Sequence, residues 1–149
     1  MDKRLKNINV ISLVKVLVIG LFASIILGIL FGVLDFELVN LAGFSITGII
    51  MFIAGRYIAR YLRDFYEYPH LVYSIIIGIL LFVMIYVNTF VYSFIFLQNY
   101  YGNIILDMTG EIMLFALKRL ILPELNGTYL INTLFYIVLI YTGIKETTY

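Results

Sequence analysis

Val16–Leu34, VLVIGLFASIILGILFGVL, is a run of nineteen residues without Asp, Glu, Lys or Arg. Crossing a bilayer takes roughly 20 predominantly apolar residues, with about 17–25 usual, so this segment alone is long enough for one span. Three further uncharged stretches follow: Leu38–Gly55 (18 residues), Leu71–Leu106 (36) and Leu125–Ile144 (20). The 36-residue stretch is too long for one crossing and too short for two with a turn. The polar run Gln98-Asn99-Tyr100-Tyr101-Gly102-Asn103 divides it into a helix ending near Leu97 and a turn.

Whole-chain composition agrees. Of the 149 residues, 63% are hydrophobic and 13% charged, against about 45–50% and about 25% for a soluble domain. Too few solvated groups remain to cover a water-facing surface. Lys3, Arg4 and Lys6 ahead of an apolar run resemble the start of a signal peptide. The run exceeds the usual h-region of about 7–15 residues and no A-x-A site follows it, so it reads as a retained first helix. The expectation is one membrane domain, 1–149: an all-α polytopic transmembrane helical bundle of four spans plus one amphipathic or re-entrant helix. The spans are placed at about 10–34, 38–58, 71–97 and 127–144, with the extra helix at about 104–122.

Basic residues orient the bundle. Lys3, Arg4 and Lys6 precede the first helix, and Arg56, Arg60 and Arg63 lie between the second and third. Two crossings separate these clusters, so both sit in the cytoplasm under the positive-inside rule. The first connection, with Asp35 and Glu37, then lies outside. This predicts an integral, multi-pass protein of a prokaryotic cell membrane with a cytoplasmic N-terminus. Lys15, near the start of the first helix, can snorkel to the interface.

Three residue patterns are candidates for function. Gly20, Ser24, Gly28 and Gly32 recur every four residues on the first helix. Apolar surface gives helices no drive to associate in lipid, so a small-residue stripe that lets backbones approach marks a helix-packing or oligomer face. Arg56, Arg60 and Arg63 lie at i, i+4 and i+7 on a continuation of the second helix. Their forked donors suit an anionic headgroup or phosphate, while Asp64 and Glu67, each four residues beyond an arginine, offer structural partners. Asp107, Glu111 and Lys118 fall within about 40° of one another on a helix and could line an ion or proton path. That stripe is too charged for an easy crossing, which places 104–122 on the outer surface or partly re-entrant, with a fifth crossing as the alternative.

Much chemistry is excluded. With no Cys and one His, thiol catalysis, disulfides and most transition-metal sites drop out. A formal net charge of +1 gives no basic field for nucleic acid. Phosphate loops, H-E-x-x-H and G-x-S-x-G are missing, and no catalytic residue, metal or cofactor is expected. Asn126-Gly127-Thr128 matches a glycosylation acceptor, a weak three-residue pattern. His70 reads as an ordinary loop histidine, and Asn88, Thr89, Asn132 and Thr133 read as interhelical hydrogen bonders. The first expectation for function is a non-enzymatic membrane component. It would assemble with itself or a membrane partner through the small-residue faces and the arginine helix, with anionic lipid as a further ligand. A small ion or solute channel or transporter with the acidic stripe lining an aqueous path is the alternative, and an intramembrane lipid enzyme ranks last.

Overall fold

The computed structural model describes residues 9–67, 70–101, 109–121 and 127–148. These form five helices and, among the described residues, no strand: α1 Val10–Ala42, α2 Thr47–Arg63, α3 Leu71–Tyr101, α4 Thr109–Ile121 and α5 Gly127–Thr148. Two of them, α1 and α3 over Leu71–Asn99, are long and apolar enough to cross a membrane.

Helix ends differ from expectation in physically readable ways. Asp35 and Glu37 were expected in a connection, yet α1 runs through both to Ala42. Nothing before Gly43 breaks a helix. Gly43 does, adopting a left-handed φ of 75° from which its N–H reaches Val39 O, a conformation that favours glycine. The second helix therefore starts at Thr47 and not at 38. The polar residues Gln98 and Asn99 are likewise helical, because α3 continues to Tyr101. Residues 102–108, including Asp107, lie outside the described residues, as do Lys3, Arg4, Lys6 and Asn126.

The order of contacts along each helix gives the topology. On α1, Gly20 faces Leu80, Gly28 faces Met84 and Val87, and Gly32 faces Asn88 and Val91 of α3, so α1 and α3 run parallel. Gly48 of α2 faces Asn132 and Gly55 faces Leu139 of α5, a second parallel pair. Gly78 of α3 meets Ile144, whereas Asn88 meets Tyr136, so α3 and α5 are antiparallel. The four long helices thus alternate in direction. Val16, Met51, Leu62, Ile77, Met84 and Leu139, drawn from all four, are buried together between them.

Among the described residues the contact of α1 with α3 is the most extensive. The buried residues of α1 are Val16, Gly20, Ser24, Gly28, Gly32 and Phe36, one every four. The predicted small-residue stripe is therefore a helix-packing face within the chain. A Cβ at Gly28 would lie 2.9 Å from the Met84 carbonyl, and one at Gly32 would lie 2.9 Å from that of Asn88. Backbone cannot swing aside as a side chain can. The stripe is flanked by the partly buried Leu13, Ile19, Leu27 and Phe31, and the opposite face of α1 is exposed and bulky, from Val14 through Phe22 and Ile26 to Leu30.

Gly28→Ala or Gly32→Ala is expected to cost about 1–3 kcal/mol by overpacking. Gly110→Ala in α4, where a Cβ meets open space, should be neutral or stabilise by up to about 1 kcal/mol through helix propensity. Unfolding in detergent micelles, followed by circular dichroism, compares the three variants.

Candidate functional site

Polar side chains gather at the two ends of the bundle. At one end α2 and α5 finish while α3 begins. Arg56 Nε donates to Glu146 Oε1 at 3.1 Å and its terminal nitrogen is also paired with that oxygen. Arg60 Nε lies 3.5 Å from Glu146 Oε2. The i+4 spacing brings both guanidinium groups to one face of α2, and the parallel course of α5 delivers its carboxylate there. Burial raises the Glu146 pKa, but the Arg56 hydrogen bond and the charges of Arg56 and Arg60 outweigh it, leaving a net lowering. Arg60 remains 62% exposed against 37% for Arg56, so Arg60 is the freer cation.

Arg63 does not join this pair. Its guanidinium donates to Tyr66 O at 2.6 Å and sits 4.5 Å above the Tyr66 ring. Tyr66 stacks on Tyr73 at 4.1 Å, and its hydroxyl donates to Thr147 O at 2.8 Å. Burial pushes the Tyr66 hydroxyl pKa up, although Arg63 opposes it. Tyr73 in turn donates to Asn9 O at 3.2 Å. One chain of contacts thus joins the start of α1, the end of α2, the start of α3 and the end of α5. The arginines expected together divide into a pair held by α5 and a third tied to the α2–α3 connection. Among the described residues no ion pair joins Arg60 to Asp64 or Arg63 to Glu67.

At the other end the hub is Ser45, in the turn between α1 and α2. Its Oγ accepts from Asn132 Nδ2 at 3.0 Å and from Thr47 N at 3.3 Å, and gives its proton to Asp35. Thr47 Oγ1 is a further 3.2 Å neighbour. Asn132 Oδ1 accepts the Gly48 N–H at 3.1 Å. The N–H groups at the start of α2 lack intrahelical acceptors, and here α5 supplies one from 84 residues away. Sequence reasoning missed this hub and missed Glu146. Ser45 two residues before Thr47 is a local cap signal, but partners 84 or 90 positions distant leave no trace in spacing.

The charged stripe on α4 is partly described. Ile112 and Ala116 are buried, and α4 packs on α3. Tyr86, midway along α3, donates its hydroxyl to Met113 O at 3.1 Å, so α4 lies beside the middle of α3 and not beyond its end. Glu111 and Lys118 are exposed. At 100° per residue they point roughly 130° round the helix from Ile112 and Ala116, away from α3. Elsewhere, Asn88 Nδ2 donates to the Tyr136 hydroxyl at 3.2 Å. Asn88 Oδ1, Ser24 Oγ and Ser93 Oγ are buried without a hydrogen-bond partner. Asn88 and Ser93, five residues apart, stand about 140° apart round α3, so they do not form one lining. His70 Nδ1 accepts from Val72 N at 3.1 Å and so caps α3. Among the described residues no group of three or more His, Cys, Asp or Glu is placed to hold a metal ion.

No protein-family model matches the chain, and no curated protein or solved structure is similar enough to count as a relative.

Two outcomes follow from the polar ends. Because the Glu146 pKa is lowered, its contribution is present above the ordinary carboxylate range and lost as pH falls through the lowered value. With the pair partly exposed, that contribution is about 1 kcal/mol or less. Glu146→Gln should remove this part of the acid-side slope when stability is measured against pH. Asn132→Leu strips the cap from Gly48 and a donor from Ser45, and is expected to cost about 1–3 kcal/mol in denaturant titrations.

Proposed function

We propose that this chain is an integral membrane component with four crossings, α1, α2, α3 and α5, and that it acts by association and not by catalysis. The observation that carries the reading is the distribution of polarity. Bulky apolar side chains cover the outward face of α1 from Val10 to Leu34 and that of α3 from Leu71 to Phe82. The paired charges Asp35, Arg56 and Glu146 lie toward the two ends, and neutral contacts such as Asn88 with Tyr136 lie between. Water around such an exterior would be strongly unfavourable, at about 25 cal/mol per Å² of apolar surface. Lipid removes that cost. The alternating helix directions suit four crossings, with the basic Arg56–Arg63 end and the N-terminus in the cytoplasm. α2 has 17 residues but only Thr47–Gly55 is free of charge, short of the usual apolar length for a span, so its crossing needs the long Arg56 and Arg60 side chains to reach the interface.

The surface available for association is narrower than the sequence suggests. The Gly20–Gly32 stripe is filled by α3, so a partner must dock elsewhere. Arg60, flanked by exposed Tyr57 and Tyr61, offers a cation and amphipathic rings at the depth of phospholipid headgroups, which supports anionic lipid as a ligand. An ion path lined by Asp107, Glu111 and Lys118 has less support within one chain. Glu111 and Lys118 face away from the bundle, and Asp107 lies outside the described residues.

The test uses the absence of native cysteine. Single cysteines at Phe44, Glu67 and Lys145, all exposed, are labelled with a membrane-impermeant thiol reagent in oriented vesicles. Glu67→Cys and Lys145→Cys should react from the cytoplasmic side and Phe44→Cys from the opposite side, and the protein should resist alkaline extraction. Release by alkali, or reaction of all three from one side, would overturn the reading.

A further inference from the structure

The face of α4 turned away from α3 carries Glu111, Leu114, Phe115 and Lys118, at i, i+3, i+4 and i+7. All four are exposed, Leu114 by 68% and Phe115 by 46%. Among the described residues neither Glu111 nor Lys118 has an ion-pair partner. Since α4 lies beside the middle of α3, the crossing reading proposed above sets these two charges toward hydrocarbon, where unpaired charge is costly.

The pattern is its own complement. In copies of one orientation the two-fold axis runs along the membrane normal, so with α4 lying in the membrane plane a second α4, antiparallel about an axis between Leu114 and Phe115, sets Glu111 of each copy against Lys118 of the other. Leu114 and Phe115 then meet across the axis. A two-fold contact requires one patch to match itself in this reciprocal way, and Glu-x-x-Leu-Phe-x-x-Lys does so in both charge and apolar content. The pairing replaces two charges facing lipid in each chain with two intermolecular ion pairs.

We infer that the exposed face of α4 is a homodimer interface in which Glu111 and Lys118 exchange across a two-fold axis. This rests on the membrane reading, which alkaline extraction of the same preparation checks separately.

The experiment is a charge exchange in the full chain, reconstituted in vesicles and read by energy transfer between donor- and acceptor-labelled copies. Glu111→Lys and Lys118→Glu, each alone, put like charges together and should weaken the dimer about tenfold or more. The double variant E111K/K118E restores opposite pairs and should return association to the unmodified level, which a merely destabilised fold would not do. Leu114→Cys should form an intermolecular disulfide under mild oxidant. Met113→Cys, exposed but on another side of α4, should not. Equal cross-linking at both positions, or a double variant as weak as the single ones, overturns the pairing. If the chain meanwhile stays in the membrane, the crossing reading survives; release by alkali overturns both.

Discussion

Close approach of the α1 and α3 backbones is the constraint on which the rest of the bundle depends. Gly20, Ser24, Gly28 and Gly32 remove side-chain bulk from one line of α1. The carbonyls of Met84 and Asn88 then come so near that even a methyl group at Gly28 or Gly32 would collide. Dispersion falls steeply with a gap of an ångström, so this contact gains from proximity what it lacks in hydrophobic contrast. With α1 fixed along α3, the tight turn at Gly43 can only bring α2 back antiparallel. The remaining faces of α2 and α3 then leave room for α5, whose own Gly143 lets Leu81 settle against it.

Polar contacts fix what apolar packing leaves loose, namely register. Leucine and isoleucine ridges slide by one helical turn at modest cost, but hydrogen bonds between particular atoms do not. Asn132 capping α2 at one end and Glu146 holding Arg56 and Arg60 at the other lie 14 residues apart on α5. On α2 the matching positions, Gly48 and Arg56, lie eight apart. Together the two contacts fix both the height and the rotation of α5 against α2. A single one would leave a pivot. The carboxylate on the last turn of α5 is thus one of the two contacts that set this register.

The helical class, the small-residue stripe and the amphipathic nature of α4 were legible because each is periodic. Periodicity survives in sequence when the partner surface is simple: α3 presents a continuous ridge, so α1 answers with one small residue every four. Helix ends were less legible. A charged residue in sequence suggests a boundary, but Asp35 is held by Ser45 from the next turn, and a helix tolerates a carboxylate that has a partner. Glu146 was hidden for the same reason. Local spacing favours Asp64 and Glu67 as partners of the arginines, yet both are exposed near the end of α2. Glu146 is half-buried and held from two sides. A desolvated carboxylate gains more from each guanidinium than a solvated one does, and so takes both.

Charge accounting separates α4 from the other helices. Asp35 is matched by a hydroxyl, Glu146 by two guanidinium groups and Arg63 by a carbonyl and a ring, and these, like the exposed Lys15, Glu37 and Lys145, lie toward the ends of the bundle. Glu111 and Lys118 differ in position, because they stand beside the middle of α3 and project outward. Were α4 only a wet interfacial helix, its apolar residues would face the bundle and its polar face would be broad. Instead Leu114 and Phe115 lie between the two charges on the outward side. Water solvates the charges of such a face and rejects its centre, while lipid accepts the centre and rejects the charges. A second copy of the same face satisfies both, which is the physical reason for locating association on α4 and not on the glycine stripe, which α3 already fills.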